Sequence, residues 1–310
     1  MGLALIALKQ IVTMFLIIFL GIFCYKKQII SKENNKCISN IVLNIVNPAV
    51  IFMSYQVDFN AEMLKGLAVS MGLAILNFLV TILISNLAIP AKSSPDFNIE
   101  RIAAIYSNCG FIGIPLIRAL IGNTGIFYLA AYLTMFNVLL WSHGVILMTG
   151  KADLKSMGKS LVSPCMIAVF AGVICFLLNL RLPEVAANGV QSIADMNTPL
   201  AMMVAGVTIA QTAIAGALKN IRVYWICALK LLIIPILLVF VMVPFAKMGV
   251  DRDILMVMIV ANACPTGASG TLFAIRFNGN ELYASELFGI TTFLSVISIP
   301  IVLMLAGALI

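Results

Sequence analysis

Two short polar stretches interrupt long apolar segments of the chain. The first, YSNCGFIGIPL, runs from Tyr106 to Leu116, and the second, ANACPTGASG, runs from Ala261 to Gly270. Their amide and hydroxyl side chains both donate and accept hydrogen bonds. A helix that restarts after a break also presents free N–H groups and the positive end of its dipole. This combination indicates a binding site for a small anion.

The residues that we expect to hold a substrate are those that break the helix or carry a polar group. They are Asn108, Gly110, Gly113, Pro115, Asn262, Pro265, Thr266, Gly267 and Ser269. The alternative for a single break is a proline kink or a tight helix crossing. A matched pair of breaks favours the binding site.

The composition identifies the surroundings as a lipid bilayer. Hydrophobic residues make up 62% of the 310 residues, only 10% are charged, and the mean hydropathy is +1.11, whereas roughly a quarter of an ordinary soluble domain is charged. An unpaired backbone group in hydrocarbon costs several kcal/mol. Irregular backbone at that depth is therefore tolerated only where protein or a water-filled cavity surrounds it.

Apolar runs of about 20 residues, enough to cross a bilayer, recur along the whole chain. We predict an all-α membrane protein with ten transmembrane spans, at residues 3–24, 39–55, 64–89, 101–121, 126–148, 164–180, 197–217, 224–246, 254–277 and 282–310. The seven cysteines are odd in number and mostly lie in apolar segments, where cysteine behaves as a small hydrophobe. We expect no disulfide framework, metal site or cofactor.

Lysine and arginine are distributed unequally between the two sets of joints. The joints after the odd-numbered spans carry twelve, which are Lys26, Lys27, Lys32, Lys36, Lys92, Arg101, Lys151, Lys155, Lys159, Lys219, Arg222 and Arg276. The opposite side carries six, which are Lys9, Lys65, Arg118, Arg181, Lys247 and Arg252. By the positive-inside rule the odd joints are cytoplasmic. We therefore predict a multi-pass protein of the cytoplasmic (inner) membrane with both termini outside, and no nucleic-acid partner despite the net charge of +7.

An odd number of spans in each half makes the halves inverted, because residues 1–150 begin outside and residues 151–310 begin inside. Weak internal similarity supports two repeats of five helices. NIVNPAV around Asn47 and Pro48 in span 2 is similar to DMNTPLA around Asn197 and Pro199 in span 7, and the breaks in spans 4 and 9 are also five spans apart. Interrupted spans at corresponding places in inverted halves indicate the central site of a secondary transporter.

Three ionisable residues are candidates for a charge or coupling role. Lys230 lies within span 8, where it either faces the site or extends its ammonium to the inner interface. His143 in span 5 is either a proton-coupling group or a packed, interfacial histidine. Asp195 is expected to cap the start of span 7, with a gate or ion contact as the alternative.

Several motifs together resemble one family, the auxin efflux carriers, which include the plant PIN carriers and bacterial malate and malonate carriers. The motifs are LGIFCYKKQIIS, NIVLNIVNPAVIF, SNCGFIGIPL and NACPTGASGTLFA. The resemblance covers essentially the whole chain. It implies a fold like that of bile-acid symporters and sodium/proton antiporters, with a scaffold of spans 1, 2, 6 and 7 and a mobile transport domain of spans 3–5 and 8–10.

The same resemblance implies that helices 4 and 9 cross at the substrate, which moves by an elevator-like motion. The family's crossover prolines map onto Pro115 and Pro265, and its site asparagines onto Asn108 and Asn137. Lys230 would face the anion or occupy a place where related folds bind sodium. The central joint, residues 149–163, is far shorter than the hydrophilic loop of many plant members, so we do not expect kinase control through it.

A transporter of a small organic anion is therefore the first functional hypothesis, and an anion channel or a membrane sensor is the alternative. No Walker loop, paired-histidine metal motif or hydrolase signature is present, so we expect no enzyme. Uniport or potential-driven movement is expected first, with sodium symport through oxygens of Asn47, Thr266 and Ser269 as the alternative. Besides substrate and lipid, a second copy of the chain at the scaffold helices is an open partner.

The charge distribution predicts the topology, and labelling of introduced cysteines tests it. In a background without the seven native cysteines, a cysteine placed within residues 151–159 should react only from the cytoplasm, and one at Ile310 only from outside. Labelling of both positions from the same side would remove the inverted-repeat argument.

Overall fold

The computed structural model describes residues 2–151, 162–212 and 220–310, and these ranges are helical apart from short joints. Their helices are α1 Leu3–Lys26, α2 Lys32–Ser54, α3 Ala61–Ala88, α4 Phe97–Ile105, α5 Cys109–Ile121, α6 Asn123–Thr149, α7 Pro164–Leu177, α8 Glu184–Ala210, α9 Ile221–Lys247, α10 Arg252–Ala263, α11 Ser269–Arg276 and α12 Glu281–Leu309. In these ranges Ser107 and Thr266 also form an isolated antiparallel β-bridge.

Seven of the described helices are long and apolar enough to cross a membrane, namely α1, α2, α3, α6, α8, α9 and α12. The helix α3 shows what surrounds them: Leu79, Leu83 and Leu87 form a stripe at helical spacing whose exposed fractions are 60%, 59% and 73%. Water would oppose such a row of exposed leucines. The all-helical membrane class predicted from the composition is confirmed.

Short polar side chains begin many of these helices. The side chain of Ser31 accepts the N–H of Asn34 at the start of α2, and that of Asn60 accepts the N–H of Glu62 at the start of α3. Equivalent caps begin α7, α9, α10 and α12, and are supplied by Ser163, Asn220, Asp251 and Asn280. Each cap satisfies one of the N–H groups that the first turn leaves without a helical partner.

Proline explains three of the four wide, π-helical turns in the described part. They occupy Val42–Val46 in α2, Cys109–Gly113 in α5 and Leu229–Ile233 in α9, and each ends two residues before Pro48, Pro115 or Pro235. Proline has no N–H and its ring collides with the carbonyl four residues earlier, so the preceding turn widens. The fourth, Leu140–Gly144 in α6, has no such proline.

The seventh predicted span began at residue 197, and a helical segment does begin there, running from Asn197 to Ala210 after the turn residue Met196. The sequence missed the segment before that turn, Glu184–Asp195, which starts directly after Pro183, so α8 as a whole begins earlier than the predicted span. Asp195 does not cap the start at Asn197, because Met196 occupies the cap position and no side chain accepts a hydrogen bond there.

Other differences concern helix ends and coverage. The sixth span is shorter than predicted, since α7 ends at Leu177. Residues 213–217 of the seventh predicted span lie outside the described residues, as do Lys155, Lys159 and Lys219, which the topology argument used.

The helices α1 and α8 cross closely, and glycine makes the approach feasible. A Cβ at Gly206 would lie 3.0 Å from the Cα of Gly21, and one at Gly21 would collide with the carbonyl oxygen of Met203. Small residues at such a crossing let two backbones meet in a membrane. The helix α2 packs against α8 as well, through an Asn35 amide that donates to the Thr208 hydroxyl at 3.2 Å.

Candidate functional site: the crossover of two helix breaks

The two predicted interruptions are present, and they lie directly against each other. The Asn108 N–H donates to the Pro265 carbonyl at 2.7 Å, and the Gly267 N–H donates to the Tyr106 carbonyl at 2.9 Å. These bonds flank the bridge between Ser107 and Thr266. Each break thus supplies hydrogen-bond partners that the other lacks inside the membrane. We call residues 106–108 and 264–268 the crossover.

Four helix ends meet at the crossover. The half-helices α4 and α10 end there, at Ile105 and Ala263, and α5 and α11 begin there, at Cys109 and Ser269. Carbonyl ends carry partial negative charge and N–H ends carry partial positive charge. The crossover therefore offers a place that favours a cation beside a place that favours an anion.

Lys230 fills the cation-favouring place. Its side chain is fully buried, and its Nζ donates to the Ser107 hydroxyl and, at 3.1 Å, to the carbonyl of Asn262. That carbonyl belongs to the last turn of α10, which has no helical donor for it. The Ser107 hydroxyl donates to the same carbonyl at 3.0 Å. A buried ammonium cannot snorkel to water, so the interfacial alternative for Lys230 is wrong.

The side chain of Asn262 is directed into the neighbouring helix α3. Its Nδ2 donates to the Asn77 side-chain oxygen and to the Thr81 hydroxyl, both at 3.0 Å, while its Oδ1 is buried without a hydrogen-bond donor. Sequence reasoning missed Asn77 and Thr81. Asn77, Thr81 and Ser85 recur every four residues in this span, and that spacing is the signal that could have found them, because it places them on one helix face.

Thr266 is held by two neighbours, both through groups that the sequence did not single out. Its hydroxyl donates to the Ala103 carbonyl at 3.0 Å, and its N–H donates to the Thr291 hydroxyl of α12 at 3.2 Å. Ser107 and Thr266 of the crossover, and Asn262 next to it, are at most 1% exposed. The described conformation therefore closes the crossover to solvent.

Close packing explains the glycines at this place. A Cβ at Gly267 would lie 3.2 Å from the Tyr106 carbonyl oxygen, and one at Gly113 would lie 3.4 Å from the Cys264 sulfur. Pro115 sits one turn into α5, where it widens the first turn. The Ser269 hydroxyl is buried and has no hydrogen-bond partner.

A second polar group adjoins the crossover from the other side. Asn197 of α8 donates from Nδ2 to the Asn47 oxygen of α2 at 2.7 Å. The Asn47 amide nitrogen lies near the first turn of α5, because a Cβ added at Gly110 would be 3.4 Å from it. The two Asn–Pro motifs, which the sequence related only by similarity, thus meet next to the break that holds Asn108.

Comparison with known proteins gives the family. A family model described as "Membrane transport protein" matches residues 6–157 and 149–303, which together span nearly the whole chain. The chain belongs to this family. It is the auxin efflux carrier family indicated by the motifs, so that prediction is confirmed. The chain is also 21% identical over 301 residues to an uncharacterized transporter of Methanothermobacter thermautotrophicus (strain Delta H), covering 94% of this chain and 96% of that protein.

In this membrane transport protein, the predicted residues Asn137 and Asp195 lie away from the crossover, whereas His143 contacts its edge. Asn137 donates at 2.8 Å to the Leu133 carbonyl of its own helix. Asp195 accepts from Arg118 at 3.1 Å, an ion pair that joins α8 to α5. His143 places its Nδ1 3.0 Å from the Tyr106 hydroxyl, which also donates to the Leu139 carbonyl. Only His143 touches a crossover residue.

A buried ion pair anchors the half-helix α4 of this membrane transport protein. The Glu100 side chain is fully buried and accepts from the guanidinium of Arg222 at the start of α9 and from the Tyr283 hydroxyl of α12. Sequence reasoning missed Glu100 as a buried charge. Glu100 is followed in the sequence by Arg101, and two adjacent charges are typical of the end of a membrane span.

The amide contact between Asn77 and Asn262 should hold α3 to α10. A double-mutant cycle with Asn77→Ala and Asn262→Ala, measured as unfolding free energy in detergent, should give a coupling of about 1 kcal/mol, the size typical of interhelical hydrogen bonds in membranes. As a control, Asn137→Ala combined with Asn262→Ala should show no coupling. A coupling of zero for the Asn77 pair would contradict the contact.

Proposed function

We propose that this protein is a secondary transporter that moves a small organic anion across the cytoplasmic membrane, with the substrate bound at the crossover. The observation that carries the proposal is the mutual pairing of the two helix breaks through Asn108, Pro265, Tyr106 and Gly267. This pairing places helix ends at membrane depth without exposing unpaired backbone groups to lipid. Secondary transporters bind substrates and ions at helix ends of this kind.

An anionic substrate is favoured by the charges around the crossover. The N–H ends of α5 and α11 point their positive ends at it, and Lys230 adds a full positive charge. Among the described residues, no Asp or Glu side chain donates to or accepts from a crossover residue. A carboxylate is the small organic anion that suits N–H donors and amide groups best.

Elevator-like alternating access is the mechanism that we propose for this site. The scaffold would consist of α1, α2, α7 and α8, and the moving part would carry both pairs of half-helices, in two inverted repeats of residues 1–150 and 151–310. Burial of Lys230, Ser107 and Asn262 supports a carrier over an open pore. An anion channel and a membrane sensor are the alternatives that flux measurements separate.

We propose that transport needs no sodium. The Lys230 ammonium lies at the carbonyl end of α10 and on the Ser107 hydroxyl, where helix polarity favours a cation, so a fixed charge takes the place that a sodium ion would need. Uniport or potential-driven movement follows from this placement. Sodium symport through oxygens of Asn47, Thr266 and Ser269 is the alternative.

We also propose that both termini face outside, and that two copies of the chain form a homodimer through the scaffold helices.

Flux measurements test the function. Purified protein in liposomes should take up one member of a panel of radiolabelled carboxylates with saturation, and external unlabelled substrate should drive counterflow, with equal rates in sodium and in choline buffers. Uptake that rises linearly without counterflow would identify a channel, and binding without uptake would identify a sensor. A strict sodium requirement would select the symport alternative.

Lys230→Gln tests the fixed charge, because glutamine keeps a hydrogen-bonding group but removes the ammonium. We expect the KM for the anion to rise about tenfold, which corresponds to about 1.4 kcal/mol, or uptake to become dependent on sodium. Lys65→Gln is the matched control, since the Lys65 side chain is 73% exposed and pairs only with Glu62. Unaltered uptake and unaltered cation dependence at normal protein levels would reject the role of Lys230.

A further inference from the structure

Tyr106 connects the crossover to the helix α6. Its carbonyl accepts the N–H of Gly267 at 2.9 Å, and its hydroxyl donates to the carbonyl of Leu139 at 2.8 Å. The residue is fully buried, and its ring packs edge-on against Phe136, with 5.8 Å between the ring centroids. The backbone at the first break is therefore tied to a side-chain hydrogen bond on another helix.

The hydrogen bonds of the Tyr106 hydroxyl assign the tautomer of His143. The Nδ1 atom of His143 lies 3.0 Å from the hydroxyl oxygen. A carbonyl can only accept, so the single hydroxyl proton of Tyr106 goes to Leu139. The oxygen is then left to accept from His143, and Nδ1 must carry a proton. Neutral His143 consequently has an Nδ1–H group and an unprotonated Nε2.

The same contact accounts for the wide turn Leu140–Gly144, which has no proline to widen it. The turn begins directly after Leu139, the residue whose carbonyl accepts from Tyr106. A side chain that inserts into the hydrogen bonds of a helix distorts the helix at that point. A Cβ at Gly144 would lie 3.5 Å from the Tyr106 ring. The wide turn is thus the place where α6 receives Tyr106.

We propose that His143 is a positioning residue of the transport site, which acts through the Tyr106 hydroxyl in its Nδ1–H tautomer. This inference rests on the proposed function. The hydrogen bond from His143 fixes the orientation of the hydroxyl, and the hydroxyl holds the end of α4 against α6. Ser107 and Asn108 follow Tyr106 directly and thereby keep their places at the crossover. His143 itself neither touches the substrate nor exchanges a proton during transport.

Two other roles for His143 make different demands on its ring. A proton carrier has to gain and lose a proton at Nε2, whereas a packed histidine contributes only its bulk. A positioning residue needs only the Nδ1–H donor. Substitutions that keep one of these properties at a time therefore separate the three roles.

Three variants of His143 meet this need. In H143N the amide nitrogen can take the position of Nδ1 and donate the same hydrogen bond, but an amide does not take up a proton. In H143Q the amide reaches the position of Nε2 instead, and in H143L no donor remains. S142A is the matched control, because Ser142 lies in the same turn and its hydroxyl donates to Val138 of its own helix at 2.6 Å.

The test measures uptake into liposomes that contain the purified full-length protein. Radiolabelled acetate, succinate and phenylacetate are offered, and the acid for which the native protein has the lowest KM is used for every variant. H143L and H143Q should raise the KM about fivefold, the factor that corresponds to the typical net contribution of one hydrogen bond. H143N and S142A should keep the native KM.

The variant Y106F tests whether His143 acts through the hydroxyl. Y106F removes the acceptor of the His143 hydrogen bond, so it should raise the KM by a similar factor. H143L should then add nothing in the Y106F background, because both substitutions remove the same interaction. Effects that multiply would show that His143 acts independently of Tyr106, and would overturn the inference.

Two further results would overturn the inference and leave the anion transporter intact. Loss of uptake in H143N to the level of H143L would identify a proton carrier. An unchanged KM in H143L, together with a lowered unfolding temperature, would identify a packed histidine. Absence of saturable uptake by the native protein would overturn the proposed function and this inference with it. Should H143L fail to fold, the comparison of H143N with H143Q decides.

Discussion

The backbone has to satisfy its hydrogen bonds without water, and this constraint governs the rest of the molecule. A membrane helix meets it by itself, but a broken helix does not. Here the two breaks meet it together, through the bonds from Asn108 to Pro265 and from Gly267 to Tyr106. Each break therefore depends on the other for these hydrogen bonds. The chain thereby obtains four helix ends inside the membrane.

Those helix ends decide where charge is placed. The carbonyl end of α10 receives the ammonium of Lys230 through Asn262, and the Ser107 hydroxyl accepts a second hydrogen bond from it. Its charge is balanced by dipoles and hydroxyls, since no described salt bridge includes Lys230. A buried charge without an ionic partner is costly in a membrane and marks a functional place. The N–H ends of α5 and α11 carry partial positive charge, which favours an anion.

Predictions that depended on local chemistry succeeded, and those that depended on a distant partner did not. Gly, Pro and Asn within a few positions located both breaks, because these residues stop a helix whatever surrounds it. The same rule located only the second segment of α8, which begins at Asn197, and missed the segment before the turn at Met196. Asn77 and Glu100 were missed because their partners lie far away in the sequence. Asn137 donates to a carbonyl of its own helix, and its role at the site stays a prediction.

The sequence by itself determined the membrane class, the helices, the two breaks and the family, because composition, span length and helix-breaking residues act within one segment of chain. Only the tertiary structure decided which groups meet. It brought Lys230 to the carbonyl end of α10, joined Asn47 to Asn197 across 150 residues, and directed Asp195 to Arg118. Hydrogen bonds and ion pairs act over a few ångströms, and no local pattern records which distant segments packing will bring within that range.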